Sequence, residues 1–330
     1  MSGSVWILVL ACGVGALFGA RGAGANGEPP RPDPPPVPPA PPAPPPAAQA
    51  PEALSVVTFN VRYANAADGA NRWEARKERA LAYLAGSRAD FIGLQEVLPS
   101  QMKEVVAALP GYGHIARSRD ASPFEGESTP IFYDRASWVP VEGMQGTFWL
   151  SETPEIPGSR SWRSGCPRIA TWAIFRHQRN GRRVLVLNTH LDNESQQARD
   201  HGARAIAEFL ATRSNRAAPA APGSLPPPAV IVTGDFNAGP TNSCRRTIME
   251  GASGSPPLRD AYRVIHPDGE AGAGTFHGFR GGADGPSIDA IMISAELQPK
   301  VASIDRHEPG TQPLSDHYPL RTTLEWVAQP

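Results

Sequence analysis

From Leu54 onward, short runs of β-branched and aromatic residues alternate with amphipathic stretches, and no period of about 20 to 50 residues recurs. The runs at 56–59, 91–94, 131–133, 171–175, 184–187, 230–232 and 291–293 predict strands. Helical spacing predicts helices over 73–84, 100–109 and 195–212, the last with Ser195 as its N-cap. Strands outnumber helices. The pattern therefore predicts an α/β protein made of two packed sheets with helices outside, rather than a single parallel sheet.

At 330 residues and 40% hydrophobic content, the chain is ordinary for a globular protein. Its 37 prolines are not, and a run of them between Pro29 and Pro51 reads as an extended linker over 26–51. Before it, the apolar stretch 5–20 and the small residues Ala23, Gly24 and Ala25 read as a signal peptide over 1–25. No basic residue precedes the stretch, which leaves an uncleaved anchor or lipid attachment at Cys12 as alternatives. All three imply export, to a secreted, periplasmic or envelope-bound protein. One domain then fills 52–330, interrupted by a Pro/Ala surface loop at 217–228.

A net charge of -1 argues against a global pull toward nucleic acid or an anionic membrane. Phosphate binding, if present, is local. Of the 31 basic residues only Lys77, Lys103 and Lys300 are lysines, which reads as base-composition bias, although arginine also suits bidentate phosphate contacts. If Cys12 leaves with the signal, Cys166 and Cys244 remain, either as two thiols or as one bridge.

The informative residues are polar ones at the ends of apolar runs. They are Asn60 after 56–59, Glu96 after 91–94, His190 with Asp192 and Asn193 after 184–187, and Asp235 with Asn237 after 230–232. Asp289 precedes the run at 291–293, and Asp316 and His317 come near the end of the chain. Each alone is ordinarily a turn or cap residue. Together they form a carboxylate-rich set whose oxygen ligands suit Mg²⁺, with Mn²⁺ or Ca²⁺ as alternatives.

In chain order, an Asn-bearing strand, Gln95-Glu96, Thr189-His190, Gly234-Asp235-Phe236-Asn237, Ile288-Asp289 and Ser315-Asp316-His317 resemble the endonuclease/exonuclease/phosphatase superfamily over about residues 54–326. The segments 60–63, 68–73, 148–154 and 274–279 resemble a bacterial subgroup of uncertain substrate. The resemblance implies a DNase I-like, four-layered α/β sandwich. It implies metal binding by Asn60, Glu96 and Asp316, with Glu96 the main ligand. Asp235 would orient or deprotonate the attacking water, Asn237 would hold it or a phosphate oxygen, and Asp289 would fix His317. His190 and His317 would flank the phosphate and, with the metal, supply positive charge. Arg168, Asp192, Asn193 and His277 are candidate substrate contacts, with Trp162 and Tyr133 as further cleft candidates.

The expected function is an exported metal-dependent phosphoesterase, acting as a monomer with no obligate protein partner. The substrate ranking puts a phosphodiester first, nucleic acid included, then an inositol or sugar phosphomonoester. A sphingomyelinase-like enzyme would need an apolar membrane hairpin, and residues 148–150, the one candidate, read as core. A catalytically silent binding module ranks last, because none of Glu96, Asp235, Asn237 and His317 is lost.

Overall fold

A computed structural model describes residues 53–214, 226–269, 272–307 and 310–327. The readings of 1–25 and 26–51, Cys12, and nearly all of the loop at 217–228 lie outside them. In chain order the elements are β1 (Ala53–Asn60), α1 (Trp73–Ser87), β2 (Phe91–Gln95), α2 (Pro99–Ala108), β3 (Tyr112–Ile115) and β4 (Ile131–Asp134). Next come β5 (Trp138–Trp149), β6 (Ile169–His177), β7 (Arg183–His190), α3 (Gln196–Ser214), β8 (Ala229–Asp235) and α4 (Ser243–Glu250). The last are β9 (Leu258–Asp260), α5 (Ala261–Ile265), β10 (Asp289–Ser294), β11 (Leu297–Ile304) and β12 (Leu320–Trp326).

Two six-stranded sheets result, in the orders β11-β12-β1-β2-β4-β3 and β5-β6-β7-β8-β10-β9. Each has one parallel pair at its centre, β1/β2 and β7/β8, and antiparallel neighbours on both sides. A parallel pair needs a crossover, and the chain supplies a helix each time, α1 between β1 and β2 and α3 between β7 and β8.

Strand alternation sorts the apolar residues into three layers. Val56, Phe91, Phe175, Val184, Val186, Ile231, Ile291 and Ile293 pack between the sheets. Val57, Phe59, Ile92 and Leu94 face outward beneath Trp73, Ala80 and Leu84 of α1 and Val105 of α2. Leu185, Leu187, Val230, Val232 and Met292 do the same beneath Ala203, Ile206 and Leu210 of α3 and Ile248 of α4. The architecture is the four-layered sandwich.

The same period places Thr58, Asn60, Gln95, Asn188, His190, Thr233, Asp235 and Asp289 on the inward faces, beyond the apolar core. Register brings their ends level, since Asn60 pairs with Gln95, His190 with Asp235, and Asp235 with Asp289. A buried polar layer lies below that edge. Gln95 Nε2 donates to Asn188 Oδ1 at 2.8 Å, and Asn188 Nδ2 donates across the sandwich to the carbonyls of Leu94 at 2.7 Å and Pro130 at 3.0 Å. Gly93 leaves room for this layer: a Cβ there would lie 2.8 Å from Asn188 Oδ1 and closer still to Thr233 Oγ1. Gly93→Ala is expected to destabilise the protein by about 1–3 kcal/mol through overpacking, read as a lower denaturation midpoint. An unchanged midpoint would contradict the packing described.

All seven expected strands and three expected helices are present. Ser195 caps α3 by accepting from the Ala198 amide at 3.1 Å. Trp149 and Leu150 are buried and Phe148 stacks on Phe209 at 4.7 Å, so this segment packs in the core. Tyr133, a cleft candidate by sequence, instead packs on Phe175 at 4.9 Å and pairs with Phe91, toward the end of the sheet away from Asn60. Cys166 and Cys244 are both free thiols. No described helix is long and apolar enough to cross a membrane.

Candidate active site

The carboxyl ends of β1, β2, β7 and β8 and the start of β10 converge on one edge of the sandwich, where the segment before β12 adds Asp316 and His317. Asp235 is the hub. Its Oδ2 accepts from Asn60 Nδ2 at 3.0 Å and lies 3.4 Å from His190 Nε2 and 3.6 Å from His317 Nε2. Its Oδ1 accepts from the Asn237 amide at 2.9 Å. Asn60 Nδ2 also donates to Glu96 Oε1 at 3.0 Å, so one amide ties the two carboxylates together. Burial, with the charge of Asp289 added, raises the Asp235 carboxyl above its ordinary range. A carboxylate so placed is a candidate proton acceptor.

The two histidines have opposite characters. Burial works against a charge on His317, but the carboxylates of Asp289 and Asp235 outweigh it and push its pKa up to about 10. Its Nδ1 donates to Asp289 Oδ2 at 2.9 Å. His190 is buried beside Arg168, Arg119 and the charged His317, which holds its pKa well below the usual value. Asn237 Nδ2 donates to the Leu191 carbonyl at 3.0 Å, which fixes the amide's orientation and makes His190 Nε2, at 2.9 Å, an acceptor. His190 is therefore neutral in the free protein. In the free protein, burial and the neighbouring cations disfavour a charge on His190, whereas the charged form of His317 is favoured.

Glu96, Arg62 and Asn237 all adopt left-handed backbone, with φ of 62°, 58° and 47°. Non-glycine residues hold this conformation only where surroundings over-determine it. Here buried Arg76 Nη2 and Gln101 Nε2 both donate to the Arg62 carbonyl, at 2.8 and 2.9 Å. The Tyr63 amide donates to Glu96 Oε2 at 3.0 Å, turning that half-buried carboxylate into the cleft.

Two places could hold a cation. Asp235, Asp289 and His317 offer ligand atoms within 4.8 Å of one another. His317 is already hydrogen-bonded to Asp289, and its charged state is favoured, so this trio fits a proton chain better than a metal. Glu96 has one donor on each oxygen and keeps lone pairs free, and Asp316 Oδ2 lies 3.7 Å from Arg62 Nε. That oxygen-rich side fits a hard divalent ion, with Asn60 placing Glu96.

A sequence profile of the endonuclease/exonuclease/phosphatase family matches residues 57–317. The chain belongs to that family. Solved members share its fold. The endonuclease/exonuclease/phosphatase from Bacteroides vulgatus is 30% identical, with a TM-score of 0.72 over 84% of this chain and 100% of its own. A mannosyl-6-phosphatase from Bacteroides thetaiotaomicron is 29% identical, with a TM-score of 0.71 over 83% of this chain and 100% of its own. The human Nocturnin catalytic domain, 19% identical, matches with a TM-score of 0.65 over 83% of this chain and 94% of its own, a likeness of fold. No curated protein sequence matches significantly. The protein is accordingly a phosphoesterase of the endonuclease/exonuclease/phosphatase family, whose members are generally dependent on divalent metals.

Among the substrate candidates, Arg168 lines a recess that also touches Glu96 and His190. Asp192 is buried with both carboxylate oxygens engaged, whereas Asn193 is exposed. The buried Asp192 carboxylate accepts from the Glu194 and Ser195 amides at 3.1 and 2.7 Å, where α3 begins, and from Arg168 Nε at 3.4 Å. Asn193 Oδ1 accepts from Arg168 Nη2 at 2.7 Å. Both side chains hold Arg168. His277 is 5% exposed, stacks on Tyr318 at 4.0 Å, and is pulled down to about 4 by burial and by His307. Its amide bonds the Asp316 carbonyl at 2.9 Å, so it supports the Asp316–His317 backbone. Arg119, Arg76 and Gln101, which sequence reasoning missed, have no strand-end position to mark them.

Asp289→Asn removes the charge that most raises the His317 pKa. If charged His317 is needed for turnover, wild-type kcat/KM is expected to fall as pH rises through about 10. The variant's alkaline limb should lie at lower pH. A limb that stays in place would show that Asp289 does not hold the charge on His317.

Proposed function

We propose that the protein is a divalent-metal-dependent phosphomonoesterase acting on a small phosphorylated carbohydrate. The observation that carries the hydrolytic part is Asp235 Oδ2, held by Asn60 between neutral His190 and charged His317. In this reading Glu96 and Asp316 hold Mg²⁺ or Mn²⁺, which would supply positive charge to the phosphoryl oxygens. Asp235 takes the proton of the attacking water, and its two amide partners, Asn60 and the Asn237 backbone, keep it oriented. Charged His317, fixed by Asp289, faces the charge that develops on the phosphoryl group.

The substrate class is supported by the mannosyl-6-phosphatase at 29% identity. That relative reverses the order suggested by sequence, which ranked a diester first. The test is turnover by the purified protein of mannose 6-phosphate and p-nitrophenyl phosphate against bis-p-nitrophenyl phosphate and single-stranded DNA, with Mg²⁺. Faster turnover of the monoesters supports the reading. Diester turnover that exceeds them would overturn it. Export belongs to the same proposal, and an N-terminus beginning at Asn26 in the mature protein would support a cleaved signal.

A further inference from the structure

Arg76 stands one turn into α1, is fully buried, and takes no part in the proton chemistry derived above. Burial pulls its pKa down to about 10, so it keeps its charge at neutral pH. A buried charge is costly unless its donors are satisfied. Here the main chain satisfies them. Nε donates to the Asn71 carbonyl at 2.9 Å, Nη1 to the carbonyls of Val61 at 2.5 Å and Leu314 at 2.9 Å, and Nη2 to that of Arg62 at 2.8 Å. The guanidinium also lies over the Trp73 ring at 5.0 Å, a cation–π contact that locks its orientation.

The four carbonyls belong to three segments: the turn before α1, the exit of β1 and the approach to β12. The last two carry the oxygen-rich side of the cleft. The β1 exit continues into Tyr63, whose amide donates to Glu96 Oε2 at 3.0 Å. Arg62 is held there in left-handed backbone at φ 58°, and its Nε lies 3.7 Å from Asp316 Oδ2. Leu314 stands two residues before Asp316. One guanidinium therefore joins the backbone that presents Glu96 to the backbone that presents Asp316, each of its bonds going to main chain rather than to either carboxylate. A planar fork can span several carbonyls at once, whereas a lysine nitrogen gathers its three donors at one point.

We infer that Arg76 is a positioning residue for the divalent ion: by clasping the β1 exit to the segment before Asp316, it fixes the spacing of the Glu96 and Asp316 carboxylates and so sets metal affinity. The inference rests on the metal-holding role proposed above for Glu96 and Asp316, and it names what keeps the two at one distance. Ligands from separate segments bind an ion tightly only when their supports hold that distance before the ion arrives.

Binding of Mn²⁺ alone to the full chain, followed by electron paramagnetic resonance and calorimetry well below the melting temperature, tests this in Arg76→Lys and Arg76→Gln. Three roles give three results. A residue that only stabilises the fold lowers the melting temperature of both variants and leaves Mn²⁺ affinity unchanged. A charge that acts on the ion through space makes the Gln variant bind Mn²⁺ more tightly and leaves the Lys variant as it was. A positioning residue raises the Kd in both, by about 10- to 100-fold. The Lys variant keeps the charge and most of the volume, and it decides the matter alone if the Gln variant does not fold. In an Asp316→Asn background the effect of Arg76→Lys should shrink, because the spacing to a lost ligand no longer counts. Unchanged Mn²⁺ affinity in the folded Lys variant, or full additivity with Asp316→Asn, would overturn the inference. If Asp316→Asn alone leaves Mn²⁺ affinity unchanged, the proposed metal side fails and the inference falls with it. If Asp316→Asn weakens binding and Arg76→Lys does not, only the inference fails.

Discussion

Asp235→Asn is expected to lower kcat by about 10²- to 10⁴-fold, the range for loss of a positioned proton acceptor. The substitution keeps the shape of the side chain, and an amide oxygen can still accept from Asn60 Nδ2, now at 3.0 Å. An amide cannot take up the water's proton. The substitution also removes one of the three carboxylates, beside Asp289 and Asp316, that keep His317 charged, so two deficits fall on the same step. Metal affinity should survive, because Glu96 and Asp316 are untouched. Steady-state kinetics with a metal titration check this, and a variant that kept more than a tenth of wild-type kcat would remove Asp235 from the role of proton acceptor.

Glu96→Ala should cost about 10²- to 10³-fold in activity, the scale of losing a major electrostatic contact in a preorganised site. The metal concentration giving half-maximal activity should rise. The fold should persist, since Glu96 is half-buried and outside the apolar core, and Asn60 Nδ2 keeps its bond to Asp235 Oδ2. A large fall in melting temperature would mean that Glu96 holds the β1–β2 loops together instead of serving the cleft.

The layers were legible wherever a strand was buried on both faces. Runs such as Val184–Leu187 and Val230–Val232 announce themselves by composition, and each leads through one buried, inward-facing polar residue, Asn188 or Thr233, to a residue at the common edge, His190 or Asp235. Strands with mixed faces were not. β12 alternates Leu320, Thr322 and Leu324 inward with polar residues between them, and its partner β11 shifts register at Pro299. β5 is an edge strand with Pro140, Gly143 and a shift between Pro140 and Gln145, so its twelve residues never form one apolar run.

Within the site, identity was easier to read than state. Asn60, Glu96, His190, Asp235, Asp289 and His317 are brought together as their positions implied, yet nothing local in the sequence separates a neutral His190 from a charged His317. Burial disfavours a charge on both, and the difference arises from Arg168 and Arg119 on one side and the carboxylates of Asp289, Asp235 and Asp316 on the other, most of them from distant segments. Asp192 and Asn193 were likewise ambiguous, because a turn residue and a ligand share the same chemistry until their hydrogen bonds to Arg168 are seen.

Metal-dependent hydrolysis of a phosphate ester at this edge of the sandwich is tested by phosphate release from p-nitrophenyl phosphate by the full chain, first with Mg²⁺, then with EDTA, then with metal restored. Turnover is expected to be abolished by EDTA and recovered by Mg²⁺ or Mn²⁺. Turnover that persists undiminished in EDTA would rule out a metal-dependent reaction at this site.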